Sequence, residues 1–133
     1  MTQSSRRSFI AKTSLLALGV TTSSLASSPA QPMLTHHVFF WLKNPTSKED
    51  QAKLIEGVNS LSKIETIRQL YIGVPASTEK RDVVDTSWQV SELMFFDDTA
   101  GQKIYQDHPI HQAFIKNYGH LWAKVIVYDA ADV

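Results

Sequence analysis

Seven residues of this chain bring together a tyrosine, two histidines and a proline: Tyr105-Gln106-Asp107-His108-Pro109-Ile110-His111, followed by Gln112-Ala113-Phe114. Imidazole is the side chain best suited to exchanging protons near neutral pH. Pro109 dictates how these groups are presented. Its ring clashes with the preceding turn and it has no N–H, so a helix arriving through Tyr105 must stop near Asp107. The same proline suits the first position of a new helix. The spacing predicts two short helices joined at a kink, with Tyr105 ending the first and His111 in the first turn of the second. The positive end of the second helix dipole disfavours imidazolium, which leaves His111 neutral and able to accept a proton. A plainer role for Tyr105, His108 and His111 is to cap and pack the kink.

The elements that must position this segment read as follows. Met33 to Leu42 is β-branched and aromatic-rich without a breaker, hence a strand. Alternation puts Leu34, His36, Val38, Phe40 and Leu42 on one face, and Met33, Thr35, His37, Phe39 and Trp41 on the other. Asn44-Pro45 ends it. Thr46-Ser47-Lys48-Glu49 fits a capping box with Thr46 as cap, opening a helix to about Ser62 with Leu54, Ile55, Val58 and Leu61 on one face. A second strand spans Thr66 to Val74. Ala76 to Thr86 is a polar loop, and a third strand runs from about Trp88 to Phe96. Asp97-Asp98-Thr99 offers N-caps for the kinked helix pair, which ends near Tyr118-Gly119. The last strand is Trp122 to Asp129.

The order β-α-β-β-α-β predicts an α+β, ferredoxin-like fold: a four-stranded antiparallel sheet with its helices on one face. Helices cover one side only, yet the first strand is apolar on both. The uncovered side calls for a second copy, sheet against sheet, enclosing an apolar interior. A homodimer is therefore expected.

Composition narrows the function. At 133 residues the chain holds one domain, and 43% hydrophobic with 20% charged residues is a globular composition. The formal net charge is zero, but residues 1–30 hold Arg6, Arg7 and Lys12 and no acid. That leaves ten basic against 13 acidic residues beyond them, which speaks against a nucleic-acid surface. There are no cysteines, which excludes thiol chemistry, thiolate-held zinc and iron–sulfur clusters. His36 and His37 point to opposite faces, and Pro109 disturbs the register between His108 and His111, so no spacing supplies the three or four converging ligands of a zinc site. His120, beside Gly119, reads as solvent-facing or a cap. Trp41, Trp88 and Trp122 read as core or dimer interface. No phosphate loop, nucleotide signature or cofactor motif occurs.

Residues 1–30 read as an address. Ser5-Arg6-Arg7-Ser8-Phe9-Ile10-Ala11-Lys12 has the form of a twin-arginine export signal, with cleavage-like sites ending at Ala26 and Ala30. The apolar run Leu15–Val20 is too short for a membrane span, so no stable anchor is expected. The expectation is an exported, periplasmic protein with a signal at 1–30 and a folded domain at 31–133.

Thr35-His36-His37-Val38-Phe39-Phe40-Trp41-Leu42-Lys43, Leu70-Tyr71-Ile72-Gly73, the Tyr105–Phe114 segment and Val125-Ile126-Val127-Tyr128-Asp129 together resemble the stress-responsive dimeric α/β barrel (Dabb) family. The resemblance covers nearly all of Met33 to Asp129, and Tyr-x-x-His-Pro-x-His is its most specific part. It implies the dimeric α/β barrel already expected. In cyclase-like relatives the last motif histidine is a general base and the motif tyrosine orients the substrate. Those roles would fall on His111 and Tyr105. The family's strand-one histidine matches His37, which would face the same cavity. A strand-three histidine of the cyclases has no counterpart between Trp88 and Phe96. Two functions follow as expectations. One is binding of a small apolar or aromatic molecule in a cavity enclosed by the homodimer. The other is a cofactor-independent lyase, cyclase or oxygenase-like enzyme using His111 as base.

Overall fold

A computed structural model describes residues 33–133; the expected signal at 1–30 lies outside the described residues. Strand β1 (Leu34–Leu42) leads through Asn44-Pro45 into helix α1 (Lys48–Ser60). The cap of α1 is Ser47, whose hydroxyl accepts the Asp50 N–H at 3.1 Å. Thr46, expected as the cap, stands one residue too early, and Glu49 pairs forward with Lys53 at 2.9 Å. Strand β2 (Gln69–Gly73) is shorter than expected, and after the loop the chain returns as β3 (Val90–Phe96). Helix α2 (Thr99–Asp107) is capped by Asp98, whose carboxylate accepts the Gly101 N–H at 2.8 Å. Pro109 stops it as its chemistry demands and opens α3 (Pro109–Tyr118). Strand β4 (Trp122–Ala131) closes the fold.

The sheet order is β2-β3-β1-β4, antiparallel throughout, as in ferredoxin-like folds. Pairing of His36 with Met94 and Asp129, and of Val38 with Glu92 and Val127, fixes which residues share a face. Leu34, His36, Val38, Phe40 and Leu42 turn to the helices and are buried. They meet Leu54, Val58 and Leu61 from α1 and its 3₁₀ extension, Phe114 from α3, and Met94 and Phe96 from β3. The other face carries Phe39, Trp41, Tyr71 and Tyr128 with no layer over it, Tyr128 being 62% exposed.

Helix α1 packs closely on α3 at Gly57. A Cβ built there would lie 2.6 Å from Cγ of Tyr118, the rigid base of a ring that stacks on Phe114. Alanine gains about 1 kcal/mol in helix propensity over glycine, whereas overpacking of this kind costs about 1–3 kcal/mol. Gly57→Ala is therefore expected to be destabilising by about 1 kcal/mol in urea unfolding. A stabilised variant would mean that Tyr118 yields freely.

Candidate functional site

Tyr105 leaves the last turn of α2 pointing at the sheet and is buried among His36, Phe96 and His111, with ring centroids 5.4, 5.3 and 4.6 Å away. Its hydroxyl donates to Oε1 of Glu92 at 3.1 Å. Burial, and secondarily the Glu92 carboxyl, push the phenol pKa far above its usual value, so Tyr105 remains a donor.

His111, at the third position of α3, is 7% exposed. Its Nδ1 lies 3.0 Å from the Gln106 carbonyl oxygen, which can only accept, so Nδ1 carries the proton and Nε2 keeps its lone pair. Burial lowers the His111 pKa. The Gln106 carbonyl pulls it back up and His36 adds to the lowering. The neutral form expected from the helix dipole is thus produced mainly by desolvation.

His37 is not part of this group. The face of β1 that carries it is the open one, where its ring lies 4.3 Å from Phe39; burial, then His36, lower its pKa. His36 takes the place that the resemblance assigned to His37. It is 5% exposed, and its Nδ1 pairs with Oδ1 of Asp129 at 2.6 Å, which orients the ring. Successive strand residues point to opposite faces, so an offset of one between neighbouring histidines exchanges the helix side for the open side.

His36, Glu92, Tyr105 and His111 line one pocket of about 170 Å³, walled by Val38, Phe40, Phe114, Ile115, Trp122, Val125 and Val127. It lies within a single chain, between β4, β1 and the α2–α3 kink. Tyr105 and His111 are on the helix side, away from the open face where a cavity between two sheets is expected. Glu92 escaped the sequence reading, which looked on β3 for a histidine. Its signal is a lone acid in the inward-facing set Val90, Glu92, Met94, Phe96. Burial raises its pKa from 4.5 to about 7, against a smaller opposing effect of the Tyr105 hydrogen bond.

His108 caps α3, its Nδ1 accepting the Ile110 N–H at 3.1 Å, and its Nε2 stands 3.4 Å from Glu65. His120 is exposed. Trp122 packs on Phe40 and Phe114, while Trp88 lies against Phe39 on the open face. Among the described residues no three His, Asp or Glu side chains converge as a metal site, and no helix is long and apolar enough to cross a membrane.

Sheet order, helix placement and a pocket under the kink define a ferredoxin-like α+β domain with a polar cluster in an apolar cleft. The chain belongs to the stress responsive A/B barrel domain (Dabb) family, whose sequence profile matches residues 34–132. It is similar to a Dabb family protein with a ferredoxin-like fold from Mesorhizobium loti, at 24% identity and TM-score 0.62, over 77% of this chain and 99% of that one. A dimeric ferredoxin-like protein of unknown function from Bacteroides fragilis matches at 22% identity and TM-score 0.59, over 75% and 96%. Hydroxynitrile lyase from Passiflora edulis matches at 18% identity and TM-score 0.65, over 79% and 96%. At these identities the likeness is one of fold. No curated protein is a significant match to the chain.

Proposed function

We propose that this protein is an exported homodimer, each chain of which binds a small one-ring apolar or aromatic molecule in the pocket beneath the α2–α3 kink. The observation that carries this reading is the pocket itself: a space of about 170 Å³ with apolar walls, into which a few polar groups converge. A cavity of about 150 Å³ holds benzene, whereas drug-sized ligands need roughly 300 Å³ or more, so the size favours a single ring. Dimerisation is supported by the uncovered apolar face of the sheet and by the dimeric relatives of this fold. Export and a periplasmic location rest on the twin-arginine pattern alone.

A second reading, a cofactor-independent lyase, cyclase or oxygenase-like enzyme, is favoured by one observation. His111 is neutral, anchored through Nδ1, and retains a basic Nε2 in the pocket. That a hydroxynitrile lyase shares this fold is compatible with it.

Native mass spectrometry of the protein purified from the periplasm tests the first reading. The expected result is a dimer carrying a small-molecule adduct. Phe39→Asp places a carboxylate in the middle of the open face and should give a monomer at micromolar concentration. Because the pocket lies within one chain, that monomer should keep the adduct. A monomeric parent protein would remove the dimer, and an adduct lost with the dimer would relocate the binding site to the interface.

A further inference from the structure

Glu92 is an unusual residue to find in the middle of a sheet. It sits on β3 between β2 and β1 and is 1% exposed. None of the ion pairs among the described residues includes it. Oε1 accepts the Tyr105 hydroxyl, but Oε2 is buried without a hydrogen-bond partner, in a side chain that lines the pocket. An unsatisfied buried oxygen is a cost that an apolar residue would avoid, and its retention points to a partner that comes and goes.

Building on the binding reading above, we propose that Glu92 is the pocket's hydrogen-bond donor, its Oε2–H meeting a carbonyl oxygen on the ligand. The pocket then selects one-ring compounds that carry a carbonyl. With the Tyr105 proton directed at Oε1, the carboxyl's own proton belongs on Oε2. Burial without a cation favours this acid form below about pH 7. The other titratable groups lining the pocket are His36, Tyr105 and His111. Tyr105 donates to Glu92. His36 and His111, when neutral, commit their ring N–H to Asp129 and to the Gln106 carbonyl. Gln106 is exposed at the rim, where water competes. Among the titratable groups that line the pocket, neutral Glu92 is thus the one that keeps a proton with no protein acceptor, with the His111 lone pair nearby for an acidic proton on the same molecule.

Benzaldehyde and toluene, matched in ring and close in volume, provide the test by NMR titration at pH 6. The parent protein should bind benzaldehyde about tenfold more tightly than toluene, the value of one hydrogen bond. Glu92→Gln should keep that preference, since the amide still accepts from Tyr105 and donates through Nε2. Glu92→Leu should abolish it while holding toluene within a few-fold, which also shows that fold and pocket persist. At pH 9 the preference should weaken in the parent and not in Glu92→Gln. A preference that survives Glu92→Leu places the donor elsewhere, His36 being next in line, and overturns the proposal. So does a Glu92→Gln variant that loses the preference, because its amide still offers an N–H where the acid offers its O–H. Failure of both compounds to bind the parent would instead overturn the pocket reading beneath it.

Discussion

Between pH 4 and pH 8, Glu92→Gln should gain about 3 kcal/mol of stability relative to the parent protein. The Glu92 carboxyl is fully buried, and desolvation raises its pKa from 4.5 to about 7 in the fold. Each pKa unit corresponds to about 1.4 kcal/mol. Below pH 4.5 the folded and unfolded chains both hold the proton, and the stability associated with the neutral carboxyl is fully present. As pH rises, the unfolded chain releases its proton while the fold retains it, so stability is lost up to and through pH 7 and then levels off. The amide has no such dependence. His37 and His111, whose pKa values are lowered, act in the opposite sense and weaken the fold as pH falls, but they are common to both proteins and cancel in the comparison. Urea unfolding at the two pH values, at one fixed protein concentration, reads the difference. An equal gap at both would mean that Oε2 has a compensating partner in the folded protein.

The kink was legible because proline acts locally. Pro109 needs no tertiary information to stop α2 at Asp107 and open α3. Sheet and helix order followed from periodicity and breakers for the same reason. The N-cap of α1 was a closer contest between two adjacent hydroxyl residues, and Ser47 is the one whose geometry reaches the Asp50 N–H. The direction of β1 was harder. Its two alternating sets both contain large apolar residues, Phe40 and Leu42 against Phe39 and Trp41, so hydrophobicity cannot say which set meets the helices. That is settled by pairing across the sheet: Asp129 of β4 comes opposite His36, beyond any local pattern. By this parity His37 lies on the open face, apart from Tyr105 and His111, which the kink brings together beside His36. Glu92 was readable as an acid among apolar neighbours, but its meaning depends on Tyr105, thirteen residues along the chain.

If the pocket performs chemistry, His111 should account for it. Acetophenone offers a ring, a carbonyl and acidic methyl protons, and exchange of those protons with D₂O is read directly by NMR. In the enzymatic reading, a methyl proton moves to His111 Nε2 as the carbonyl oxygen takes up enolate charge next to Glu92. Loss of a positioned base of this kind slows proton transfer by about 10²–10⁴-fold. His111→Ala should show that loss with acetophenone binding little changed. His111→Gln provides the structural control, since its amide can still donate to the Gln106 carbonyl yet has no basic nitrogen. Burial lowers the His111 pKa, so protonation of the base should slow exchange only below pH 6.5, while ionisation of Glu92, whose pKa is about 7, should slow it as pH rises toward 8. If His111→Ala unfolds and His111→Gln exchanges as fast as the parent, His111 is structural. A parent that binds acetophenone without exchange above background would leave a binding protein, whose histidine orients a ligand and takes no proton from it.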